Sequence, residues 1–159
     1  MLTKLKNDYK RLLKSKEFNN NGFLCGAFLI CELNNLEKTD WQIDFYDNDS
    51  NKITTYIMNE YIQVVKNSEV LKKEDTEIEE LNLEEIKVDF KDIKEMLKNI
   101  LDKYNEEASR ITIIIQKQNI PVWNIIYITK KFNLINIRVN AIDNSLLEEK
   151  NVSLVSFEK

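Results

Sequence analysis

Two stretches decide the reading of this chain: Trp41-Gln42-Ile43-Asp44-Phe45-Tyr46 and Trp123-Asn124-Ile125-Ile126-Tyr127-Ile128. In the first, Trp41, Ile43 and Phe45 alternate with polar Gln42 and Asp44, the period-two pattern of a strand with one buried face. In the second, Ile126 and Ile128 make both faces apolar, so that strand is either covered on both sides or used in an interface. The chain has two Trp in all, and each opens one of these stretches, 82 residues apart. The same shift carries Ile53 onto Ile135 and Ile57 onto Val139.

Outward from these strands the repetition continues. Leu2, Leu5, Tyr9, Leu12 and Leu13 form one apolar stripe at helical spacing, on a lysine-rich helix that should end near residues 18–21. Asp89 is a good N-cap for a second helix, whose stripe is Phe90, Ile93, Leu97, Ile100, Leu101 and Tyr104. A shift of 88 superimposes the two stripes and places Phe23 and Cys25 on Ile111 and Ile113. Asn67-Ser68 matches Asn144-Ser145 at a shift of 77, so the first copy has the longer loops. The expected fold is α+β, two tandem α-β-β-β units at 1–73 and 89–159, with antiparallel sheets and one helix packed on each, the sheets either joining into one or packing together. An acidic connector, 74–88, joins them; its Ile78, Leu81, Leu83, Ile86 and Val88 predict that it docks instead of hanging free. The last strand, 152–157, should lie at an edge.

Composition removes most familiar chemistry. The 159 residues include no His, two Gly, one Pro and two Cys. Without His there is no Ser-His or Cys-His nucleophile pair and no imidazole metal ligand; Gly22 and Gly26 cannot build a phosphate loop or a dinucleotide fingerprint. The net charge of −4 argues against a duplex nucleic-acid binder. The acidity is central: residues 74–107 hold 13 Asp/Glu against 5 Lys/Arg, whereas 1–73 hold 10 against 11 and 108–159 hold 4 against 7. Cys25 and Cys31, read on one strand, stand roughly 20 Å apart and cannot pair with each other. Two unpaired thiols point to a reducing compartment. The start, Met1-Leu2-Thr3-Lys4-Leu5-Lys6, lacks the unbroken apolar stretch of a secretion signal, and the longest apolar run, 22–31, is about half a transmembrane helix. A cytoplasmic protein with no membrane association is the expectation.

The remaining motifs are weak. Asp47, Asp49 and Asn51 take positions one, three and five of a calcium-loop spacing, but Lys52 stands where Gly is needed and Met58 where a bidentate Glu is needed, so the segment reads as a polar turn. The acids at 74–85 are sequence neighbours without an apolar pocket and read as solvated surface. Arg110 and Arg138 lie in strands as paired cations or edge guards. Neither catalytic nor metal-binding nor cofactor-binding residues are assigned, and the chain is read as not an enzyme.

The second copy carries a resemblance. Its helix and strand are followed by Pro121-Val122-Trp123-Asn124-Ile125-Ile126-Tyr127 and by Ile137-Arg138-Val139-Asn140-Ala141-Ile142-Asp143-Asn144-Ser145-Leu146-Leu147. Residues 89–159 resemble a PepSY domain, a PepSY/cystatin-like arrangement in which a helix packs on an antiparallel sheet. Asn140-Ala141 holds the family's Asp-Ala place, and Asn144 holds its turn Gly, a substitution Asn tolerates at positive φ. The first copy keeps Trp41 but has Val65-Lys66-Asn67 at that turn. The resemblance implies a module associated with propeptides and peptidase inhibition. Together with the missing catalytic residues, it leads to a non-enzymatic protein-binding module, an inhibitor or immunity-type protein, meeting a protein partner through Tyr46, Tyr56, Tyr61, Trp123 and Tyr127. The alternative is a small-molecule carrier, its ligand held between helix and sheet by Trp123, Tyr127 and neighbouring Ile side chains. A homodimer is compatible with either.

Overall fold

The computed structural model describes residues 1–69 and 77–155. Helices form on the stripes, α1 at Leu2–Leu13 and α2 at Phe90–Lys103, but α1 stops with its last apolar residue, Leu13, short of the expected end near residues 18–21. Asp89 starts α2 because its carboxylate accepts from the Phe90 N–H at 2.6 Å, while the Asp92 carboxylate accepts from the Asp89 N–H at 2.8 Å. This reciprocal cap satisfies donors that the first turn leaves free. Asn105, at φ 53°, comes after its last turn. Leu5 and Leu12 of α1 and Ile93, Leu97 and Ile100 of α2 are buried, and each such side chain contributes about 1.5–3 kcal/mol.

Eight strands come after these helices in two groups of four: β1 (Phe23–Glu32), β2 (Gln42–Asp47), β3 (Lys52–Ile57) and β4 (Gln63–Glu69) after α1; β5 (Ala108–Gln118), β6 (Ile120–Thr129), β7 (Asn133–Asn140) and β8 (Leu146–Ser153) after α2. All eight join in one antiparallel sheet of order β4-β3-β2-β1-β5-β6-β7-β8. This corrects the expectation of two α-β-β-β units, each a helix packed on a sheet of its own unit: each helix is followed by four strands, and both groups belong to one sheet. β1 pairs with β5, from Gly26 opposite Gln116 to Glu32 opposite Arg110, and the ladder runs through the middle without a break. The reason is the backbone: each of these apolar strands would otherwise carry one unpaired edge into the core, and pairing with the other satisfies both.

Other boundaries move as well. Residues 63–69, expected to hold a turn, form β4, so Val65-Lys66-Asn67 is strand and not the PepSY-type turn. The last strand begins at Leu146, not 152; residues 156 and 157 of the expected strand lie outside the described residues, as do 74–76 of the connector. An irregularity between Leu24 and Gly26 reverses the alternation of β1 there. Phe23 and Ile111, matched by the shift of 88, consequently face opposite sides of the sheet.

Trp41 and Trp123 meet at the centre of a single core, ring centroids 6.5 Å apart, both fully buried. The Trp123 indole N–H donates to the Val88 carbonyl at 2.8 Å, fixing the connector against β6. The Leu81 N–H donates to the Leu24 carbonyl at 2.8 Å, and Leu81, Leu83, Ile86 and Val88 are buried. Scarce glycine is met by asparagine: Asn20, Asn51, Asn105, Asn119 and Asn144 all adopt positive φ, which Asn tolerates better than other non-Gly residues.

Candidate functional site

Strand register separates the two faces of the sheet. Tyr56, Ile43, Ala27, Ile115, Trp123 and Val139 form one row, each opposite the next, and all are buried beneath the helices and connector. The other parity faces away from that layer, and no described helix covers it. There Gln42, Phe28, Ile114, Asn124, Arg138 and Glu148 form a row; Ile30, Thr112, Ile126, Asn136 and Lys150 form the next; Glu32, Arg110, Ile128, Leu134 and Val152 the third.

An antiparallel sheet with a solvated face ordinarily alternates apolar-in with polar-out. Across β1, β5, β6 and β7 this one does not: Phe28, Ile30, Ile114, Ile126, Ile128 and Leu134 run diagonally over three rows, interrupted by Thr112, Asn124 and Asn136, with Ile30 49% exposed and the other five half-buried. Charges frame it. The Arg138 guanidinium lies 3.4 Å from Glu148 and bonds Gln118, and Lys150 lies 2.8 Å from Glu148. Seven spacings of about 4.8 Å make the eight-stranded sheet about 34 Å wide.

One end of the open face is polar. Asp44 sits opposite Gly26 on one side and Thr55 on the other, and accepts the Thr55 hydroxyl at 2.5 Å. Burial pushes its carboxyl up to about 6, against the opposing pull of the Thr55 bond. Burial, with Asp44 nearby, pushes the Cys25 thiol up to about 12. A thiol held protonated is neither nucleophile nor metal ligand at neutral pH.

The helix side carries two adjoining clefts beside the turn at Leu33–Lys38, of about 270 and 380 Å³, which share Leu36, Glu37, Phe90 and Lys94. Trp41 and Leu29 line the first, Tyr127 and Ile111 the second. Trp123 lines neither. Its place in the core, next to Trp41, is what excludes it from the role given to it in the carrier reading.

Of the five residues expected to form a binding surface, four are buried and offer none. Tyr56, Trp123 and Tyr127 occupy core-facing positions of their strands. Tyr46 stands on the opposite parity, but it packs edge-on against Phe23, ring centroids 5.7 Å apart, and its hydroxyl donates to the Asn51 side chain at 2.7 Å. Tyr61, 77% exposed, is the one that reaches solvent. The residues missed on this face were Phe28, Ile30, Ile114 and Leu134. The signal for the first three was present in the apolar runs of β1 and β5, which are apolar at both parities as β6 is, and for Leu134 in the Leu134-Ile135 pair of β7.

The weak motifs take ordinary places. At the 47–51 turn the Asp47 carboxylate accepts from the Asp49 N–H at 3.0 Å and from the Ser50 hydroxyl at 2.9 Å, and Asn51 adopts φ 55°. Among the described residues no three His, Cys, Asp or Glu gather in a way that could hold a metal ion. No helix among them is long and apolar enough to cross a membrane.

No protein-family model matches the chain, and no curated protein matches it. Among solved structures, it is similar to one described as a "putative lipoprotein" from Clostridium difficile 630, with 17% sequence identity and a TM-score of 0.53, covering 94% of this chain and 91% of that one. At that identity the likeness shows a shared fold alone.

Proposed function

We propose that this chain is a non-enzymatic protein-binding module that seats the apolar face of a partner protein on the open side of its sheet, masking the partner as an inhibitor or immunity-type protein does. The observation that carries the reading is the patch of Phe28, Ile30, Ile114, Ile126, Ile128 and Leu134 on a face that no described helix covers. Apolar side chains left on a sheet face and rimmed by charge are a usual mark of a protein interface. A sheet about 34 Å wide is also large enough for the roughly 800 Å² that each partner contributes to a standard interface. The resemblance of 89–159 to PepSY-like modules supports the same class.

Site-specific photo-cross-linking in the source cell tests it. A cross-linker at Ile30, on the patch, should form adducts with one discrete protein, and one at exposed Asn7 on α1 should not. Absence of adducts from position 30, or the same adducts from both positions, overturns the proposal. Adducts with a second copy of this chain alone assign the face to a homodimer and overturn the heterologous partner.

A further inference from the structure

The paired clefts on the helix side have a chemistry of their own. We propose that they bind a carboxylate carrying an unbranched apolar tail, a fatty-acid-like amphiphile, with the tail laid along Leu36, Phe90 and Leu97 and the carboxylate held by Lys91 and Lys94.

Shape supports a linear tail. The clefts, about 270 and 380 Å³, adjoin through Leu36 and Phe90 and run from Trp41 and Leu29 at one end to Tyr127 and Ile111 at the other. Together they fall within the usual size of small-molecule pockets, roughly 300–1,000 Å³. The floor is apolar and the rim is cationic, although the whole chain carries −4. Lys4, Lys91, Lys94 and Lys98 stand around it, facing the single carboxylate of Glu37. Lys4 is engaged, its ammonium 2.9 Å from the Thr39 carbonyl and 3.3 Å from Asp40. Lys94 lies 3.9 Å from Glu37 in an exposed pair and 5.9 Å from the centroid of the Phe90 ring; such a pair contributes little. Lys91 makes no hydrogen bond or ion pair among the described residues and stands in the first turn of α2, where the helix dipole also favours an anion.

Trp41 closes the wall of the first cleft and is fully buried. Its indole N–H is itself shielded from solvent and has no acceptor among the described residues, so Trp41 gives the ligand an apolar surface, and the carboxylate is held by the lysines alone.

Titration of the protein with dodecanoate, followed by Trp fluorescence and by calorimetry, tests the assignment. Saturable binding below the micellar range is expected, weakened about tenfold or more in the double variant K91E/K94E, and lost in L36W, which fills the cleft from its exposed side. Methyl dodecanoate, which lacks the charge, should bind at least about tenfold more weakly. Failure of dodecanoate to saturate overturns the proposal; so does equal affinity for the ester, or loss of binding in I30K on the open face with K91E/K94E unaffected. Thermal unfolding of each variant separates lost binding from lost structure, and I30K also separates this site from the protein-docking face.

Discussion

The two tryptophans offer an internal comparison. Both are fully buried and pack against each other, so replacing either by Phe removes a similar apolar volume from the same core. They differ in one respect: the Trp123 N–H donates to the Val88 carbonyl at 2.8 Å, whereas the Trp41 N–H has no acceptor among the described residues. W41F therefore loses packing and sheds an unpaired donor. W123F loses packing and a buried hydrogen bond, and leaves the Val88 carbonyl without its indole donor. An orphaned buried polar group costs about 1–3 kcal/mol. W123F should then be less stable than W41F by about that amount. For a chain of this size, where 1 kcal/mol moves Tm by about 2–4 °C, the two midpoints should differ by about 2–12 °C. Urea unfolding followed by circular dichroism, which does not depend on the missing indole, gives the difference from the two midpoints if the slopes agree. Equal stability, or W41F the weaker, would refute the argument that the connector is fixed to β6 by this bond.

The open face and the turns carry further expectations. The Asp44 carboxyl, raised to about 6 by burial, holds its proton more tightly in the folded chain than in the unfolded one, where its value is near 3.9; stability from this group is present below about pH 4 and falls as pH rises towards 6. D44N, which keeps an acceptor for Thr55, should be more stable than the parent by about 1–3 kcal/mol at pH 7, with the gap closing on acidification in urea titrations; a D44N chain weaker than its parent at pH 7 would contradict this. The Cys25 thiol, raised to about 12, should react with a thiol-specific disulfide reagent at pH 8 far more slowly in native protein than in urea, and comparable rates would show it to be accessible. Gly22 has φ +80°, and a Cβ there would fall 2.1 Å from the Tyr46 carbonyl oxygen, whereas at Gly26 the nearest contact is 3.0 Å from the Ile115 carbonyl oxygen. G22A should cost more than about 2 kcal/mol and clearly more than G26A, as thermal unfolding of the pair would report.

Much of the local structure could be read from residue order. The stripes of α1 and α2, the Asp89 cap and the core-facing parity of Trp41, Ile43 and Phe45 all depend on side chains within a few positions of one another. The binding surface could not be read in the same way. Tyr46, Tyr56, Trp123 and Tyr127 were placed on a surface because aromatic residues are common interface anchors; whether each reaches solvent depends on which neighbours cover it, as Phe23 and Asn51 cover Tyr46.

Residue order alone was enough to place both helices, the strands around Trp41 and Trp123 and the turns on asparagine, and to exclude catalysis by histidine; it missed β4 and the start of β8, where the apolar pattern is thin. That the two halves share one sheet emerges only in the folded chain, because the β1–β5 ladder is made of backbone N–H and C=O groups that nearly every residue carries alike and no periodicity records. Folding also decided which face the described helices leave uncovered. A strand apolar at both parities reads the same whether a second layer covers it or a partner does. Here the connector and both helices lie on one side, and Ile30, Ile126 and Ile128 are left on the other.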